Sequence, residues 1–209
     1  WSVLYLIALS YLVEDRKQQL EEKNRRKQTQ EGISTPLGED FKYTEDGNAQ
    51  VMSGSVEVTI LPDQVSDELS DKKAGAETKF NLEGGGAPSF EFVNRKVTNV
   101  NSVPPIKITI QTTYRSGVSS ASDSAYGRGT TDKDRADRNT SLRFHEGSHG
   151  SDYINYLKMH PIPSFQGREG MTVERFKQSQ QEYIAAINKY KKAMSDYSKA
   201  NTDNVGKKK

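Results

Sequence analysis

The chain has 209 residues, with 30 Lys and Arg against 28 Asp and Glu, no cysteine and 33% hydrophobic residues. The missing cysteines exclude disulfide frameworks and thiolate-ligated zinc or iron–sulfur sites, and a net charge of +2 provides no field for gathering nucleic acid. The length suffices for one hydrophobic core, and an apolar fraction below the usual ~45–50% implies long polar segments around it.

Residues 1–13 (WSVLYLIALSYLV) are apolar except for Ser2 and Ser10, and residues 14–31 carry charges of both signs. The run is shorter than the ~18 residues of a membrane span, and neither an initiator Met nor a basic stretch precedes it. We read residues 1–31 as a helix whose apolar half docks on the domain and whose charged half is solvated. A membrane or export segment is the alternative, which leaves membrane association open. Residues 32–54 show neither helical nor strand period and are expected to be a linker. The remainder, 55–209, is expected to form the domain.

Val56, Val58 and Ile60 alternate with Glu57 and Thr59, and Phe80 and Leu82 flank Asn81 before Gly84-Gly85-Gly86. Phe90 and Phe92 extend the pattern, and Ile106, Ile108 and Ile110 alternate with Lys107, Thr109 and Gln111. These runs predict a small, mostly antiparallel or mixed sheet with one wet face. Residues 116–132 are dominated by Ser, Gly, Thr and Asp and predict a long mobile loop, with a lid as the functional alternative. From Asn139 the period becomes helical: Asn139 or Thr140 can cap a helix ending near Met159, before Pro161 and Pro163. Thr172 can cap a longer second helix with a stripe at Val173, Phe176, Tyr183, Ile187, Tyr190, Met194 and Tyr197. The fold class is therefore α+β.

The informative residues are His145-Glu146-Gly147-Ser148-His149. On a helix, positions i and i+4 share a face about 5–6 Å apart, so both imidazoles can reach one zinc ion at ~2.0–2.1 Å. Glu146 points about 100° away, beside the open coordination position, where it would act as general base and then general acid in peptide-bond hydrolysis. The plainer alternative is a pair of surface histidines on an amphipathic helix. Gly147 and Gly150 each weaken a helix by about 0.8–1.0 kcal/mol relative to Ala, a penalty best explained by a neighbouring backbone or a substrate approaching closely.

This HExxH pattern resembles the zinc metallopeptidases called zincins. The resemblance implies a mixed sheet whose edge strand lies over the motif helix and aligns an extended substrate, with a later element giving the third ligand. More narrowly, residues 139–206 are similar to predicted secreted bacterial zinc-dependent proteases, whose long second helix ends in a Tyr…Thr-x-His-Gly-like stretch. Tyr197, Thr202 and Gly206 match that ending, and no His stands within it. The metzincin pattern needs Gly and His where Asp152 and Asn155 stand. Three residues compete for the third ligand: Asp203 first, by its place in that ending, then Glu182 on the long helix, then Glu169 at a thermolysin-like spacing. His160 reads as a loop residue capping the helix end, or alternatively as an oxyanion donor.

The expected function is a zinc peptidase with Glu146 as base, His145, His149 and Asp203 as metal ligands, and a peptide or protein as substrate. That substrate is expected along the edge of the sheet containing residues 106–114. The chain is expected to be secreted or exported, of bacterial or phage origin, as a released domain of a larger delivered, toxin-like polypeptide. The alternative is a non-catalytic binding or structural module with a structural or vestigial metal site.

Overall fold

The computed structural model describes residues 2–206, with side-chain surroundings from residue 11 onward. In chain order its elements are α1 (Ser2–Glu31), β1 (Lys42–Tyr43), β2 (Ala49–Ser53), β3 (Val56–Ile60), β4 (Gln64–Val65), β5 (Ala76–Glu83), β6 (Phe90–Val93), β7 (Lys96–Val100), β8 (Lys107–Tyr114), α2 (Asp132–Ala136), α3 (Leu142–Met159) and α4 (Val173–Ser198). A π-helical turn, Lys199–Asp203, closes the last helix. The fold is α+β, a mixed sheet with helices that include the long C-terminal one.

Alternating branched residues make the sheet. Val58, Ile60, Ile108 and Ile110 are buried to within 1%, because period-two side chains send one set inward and the other to solvent. The six-stranded sheet runs β1–β2–β3–β8–β5 with β4 also on β8, antiparallel except where β3 and β4 run parallel to β8. Because β5 occupies one side of β8 along its whole length, β4 pairs on the other side, in line with β3. β8 is therefore internal, and the edge nearest α3 is β5. The edge of the sheet expected to align a substrate is thus β5 and not residues 106–114 themselves: β8, flanked on both sides, has no open edge.

Helix α3 lies against the sheet, its Tyr153, Ile154 and Leu157 joining the strand residues in one core, and α4 packs beside it, adding Tyr183, Ile187, Tyr190 and Met194 to the same core. Ser141, rather than Asn139 or Thr140, caps α3 by accepting from the Phe144 N–H, and Thr172 caps α4 by accepting from that of Arg175. The hairpin β6–β7 stands apart and turns at Asn94 and Arg95, both at positive φ.

Residues 32–54 are not a linker. They contribute β1 and β2, and Ile33, Phe41, Ala49 and Val51 enter the core. Their apolar residues are few and short-spaced, and Met52 is exposed, but Ile33, Phe41, Ala49 and Val51 face inward. For α1, the side chains of residues 1–10 lie outside the described residues, so their docking is not addressed. Tyr11, Leu12 and Val13 are exposed, so the expected docking is not found there. The helix meets the domain at its last turn, where the Arg143 guanidinium donates to the carbonyls of Gln30, Glu31 and Ile33 at 2.6–2.8 Å. A cation on the last carbonyls of a helix is favourable electrostatically as well as by hydrogen bonding. No described helix is long and apolar enough to cross a membrane.

Candidate metal centre

The one-turn spacing of His145 and His149 puts both rings on the buried side of α3, their centroids 5.1 Å apart. Opposite them, the π-helical turn brings in Asp203. The Asn204 N–H bonds to the Lys199 carbonyl at 3.0 Å, five residues back, where an α-helix would bond four back. The extra residue turns Ser198, Thr202 and Asp203 toward α3.

Asp203 Oδ1 lies 3.1 Å from His149 Nε2 and 3.3 Å from His145 Nε2. Tetrahedral bonds of ~2.0–2.1 Å separate ligand atoms by about 3.3 Å; the two Asp203 spacings match this, and the three ligand atoms all lie within 4.8 Å of one another. Among the described residues this is the one group of three or more His, Asp or Glu side chains close enough to share an ion. The distal ring nitrogens are also occupied. His145 Nδ1 donates to the Arg128 carbonyl at 3.0 Å, with Ser124 Oγ at 3.2 Å. His149 Nδ1 is 2.7 Å from Ser198 Oγ, and the Ser198 hydroxyl is shared with Asp152. Acceptors at Nδ1 favour the tautomer whose Nε2 lone pair is free to face an ion held between the two rings and Asp203.

Electrostatics follow from this packing. Burial alone would lower the His145 pKa, but the Asp203 carboxylate and the Arg128 carbonyl outweigh it and hold the imidazole above its ordinary value. Burial would raise Asp203, yet hydrogen bonds from both histidines pull it well below the usual carboxylate range. Glu146, 3% exposed, is raised chiefly by burial, against the lowering effect of His149 and a hydrogen bond from Thr78. Thr78 Oγ1 donates to Glu146 Oε2 at 2.8 Å. With that proton committed, the Thr112 hydroxyl donates to Thr78, also at 2.8 Å. The edge strand β5 thus orients the carboxylate directly.

Of the other candidates, Glu182 is exposed on α4, bonded to Gln178 and paired with Arg175 at 3.6 Å. Glu169 is exposed in the loop before α4. Neither joins the cluster. His160 is the C-cap of α3, its ring against Tyr156; it lies eleven residues past His149, about 16 Å along the helix, so the oxyanion reading is set aside. Gly147 and Gly150 are explained by close approach: an added Cβ would stand 2.3 Å from the Ser34 carbonyl oxygen and 2.0 Å from Thr35 Oγ1, respectively.

Residues 116–132 depart from the expected long mobile loop by being tied to the site. Ser124 and Arg128 reach His145, the Arg128 N–H donates to the Thr202 carbonyl at 2.8 Å, and the Tyr126 ring stands edge-on to His145 at 5.0 Å. Sequence reasoning missed these residues because main-chain bonds to a loop leave no side-chain pattern. Its one signal was the pair Gly127 and Gly129, both at positive φ, where a Cβ at Gly127 would stand 2.1 Å from the Thr202 carbonyl oxygen. Comparison with protein-family models, curated proteins and solved structures gave no match to this chain.

Proposed function

We propose that the protein is a zinc-dependent peptidase of zincin type. The observation that carries this reading is the convergence of both Nε2 atoms on Asp203 Oδ1 at 3.1 and 3.3 Å, at the spacing a tetrahedral ion requires. A zinc ion held there would supply Lewis acidity and bring the pKa of a water down to about 7. His145, His149 and Asp203 would hold the ion, their orientation fixed by Arg128, Ser124 and Ser198. Glu146 would move the proton. With Oε2 accepting from Thr78, Oε1 is the oxygen assigned to take the proton from water and return it to the leaving amine nitrogen. A pKa raised by burial suits a carboxyl group that must hold that proton between the two steps.

The substrate class follows from β5. It pairs with β8 alone, and Thr78, which bonds Glu146, is one of its residues. An extended peptide adding to the free edge by main-chain hydrogen bonds would pass the carboxylate, so we assign a peptide or protein substrate there. Among the described residues three side chains form the cluster, which supports a coordination position open to substrate over a closed structural site.

The test is Glu146→Gln. It is expected to keep the zinc content of the wild type and to lower peptide cleavage by about 10²–10⁴-fold, the usual contribution of a general acid–base. Cleavage at the wild-type rate by the metal-loaded variant would refute the assignment.

A further inference from the structure

We infer that Arg128 is a positioning residue that sets the spacing of the metal ligands, and that Asp134 of α2 is the buried charge that fixes it. The inference rests on the metal-site reading above and concerns how the chain prepares that site.

The main chain of Arg128 meets both ligand-bearing segments. Its carbonyl accepts from His145 Nδ1 at 3.0 Å, and its N–H donates to the carbonyl of Thr202 at 2.8 Å, one residue before Asp203. A single residue thereby bridges two ligands that come from different helices. The bridge is stiff only if Arg128 itself is held, and its side chain does this. The guanidinium forks onto Asp134, with Nε 3.2 Å from each carboxylate oxygen and Nη2 2.9 Å from Oδ1. It also lies over the ring of Phe144, the residue before His145, at 4.8 Å. Asp134 is 2% exposed and takes a further N–H from Gly129 at 2.9 Å. Burial works against its charge, but the fork and the Gly129 N–H outweigh it and lower its pKa.

An exposed ion pair would carry little weight, but here the acid is enclosed and the geometry is planar and two-pronged, which fixes direction as well as distance. Removing the carboxylate charge therefore frees the fork, then the peptide on either side of Arg128, and finally the angle at which His145 and Asp203 face each other. Partners that orient ligands in this way change metal affinity by about 10–100-fold when removed. Arg128→Lys keeps the charge and loses the fork, so it should show part of the same effect.

The experiment uses the full chain and reads zinc dissociation constants by competition with a chromophoric chelator, well below the melting temperature. The visible spectrum of the cobalt-substituted protein is recorded as well. Asp134→Asn is expected to weaken zinc by about 10–100-fold and to alter the cobalt bands. Arg128→Lys should weaken zinc less, and the exposed control Lys133→Ala should not weaken it. If Asp134→Asn does not fold, Arg128→Lys and Arg128→Gln carry the test. Variants that melt earlier yet bind zinc as tightly as the wild type, with unchanged cobalt bands, would show a merely structural clasp and overturn the inference. A wild type that binds no zinc overturns both this inference and the metal-site reading. A wild type that binds zinc but cleaves no peptide removes only the proposed activity.

Discussion

A Cβ at Gly150 would stand 2.0 Å from Thr35 Oγ1 and within 2.8 Å of Thr35 Cβ and Cγ2. Thr35 is 1% exposed and has nowhere to retreat. Two effects then oppose each other in Gly150→Ala. Helix propensity favours alanine by about 0.8–1.0 kcal/mol, whereas overpacking a filled site costs about 1–3 kcal/mol. With three Thr35 atoms closer than any relaxed contact, the upper end of that range applies. We expect a net loss of about 2 kcal/mol, or a melting temperature lower by about 4–8 °C in a chain of this size. Thermal denaturation of the single variant and of Thr35→Gly/Gly150→Ala measures the coupling, and the pair should lose less than the two single changes together. A Gly150→Ala variant more stable than wild type would show that the helix and residues 34–36 can part at little cost. The same reasoning ties residues 32–54 to the motif helix.

At the scale of elements, the joint between α3 and the end of α4 changes character along its length. Tyr183, Ile187, Tyr190 and Met194 hold α4 by apolar packing. Beyond them the links to α3 are polar: Ser198 with His149, Thr202 with Asp152 at 2.7 Å, and Asp203 with both histidines. A bound ion would tighten this second part and leave the first alone. Chelation is therefore expected to speed amide exchange in residues 199–204 and in the strap at 124–130, with residues 183–194 unchanged. Hydrogen-exchange mass spectrometry with and without zinc checks this, and equal protection in both states would contradict it. What was legible in the sequence divides along the same line. The His145/His149 face, the strand alternations at 56–60 and 106–110, and the Thr172 cap are local patterns that depend on period alone. Ala49–Ser53 escaped because its inward residues are short and weakly alternating, and the clasp of Asp134 on Arg128 escaped because it depends on tertiary placement. The π-helical turn has no composition of its own. Asp203 was found by its place in a resembled ending, not by any periodicity.

For the whole molecule, the proposed metal site predicts a stability that depends jointly on pH and metal. Both ring nitrogens of His145 face acceptors, which only the imidazolium can satisfy, so its pKa is raised in the folded chain. That contribution is complete below about 6.5, the ordinary imidazole value, and is lost as pH rises through the raised value. Asp203 is depressed; its contribution is present above about 3.9 and is lost only as pH falls through the depressed value. Glu146, raised by burial, likewise favours the acidic side. The metal-free protein should therefore be most stable between about pH 4 and 6.5 and weaken as pH rises through the raised His145 value, where the Asp203 carboxylate faces an imidazole that is losing its proton. Zinc bound at the proposed site would take the place of those protons, so its affinity is expected to rise with pH. At a hundredfold excess over its Kd it adds about 2.7 kcal/mol, some 5–10 °C in melting temperature at this chain length. Calorimetric melts in chelator and in zinc from pH 5 to 8 should thus show a gap that widens with pH. A metal-free melting temperature that climbs steadily to pH 8, with a constant gap, would mean that His145 and Asp203 do not share a proton in the absence of the ion.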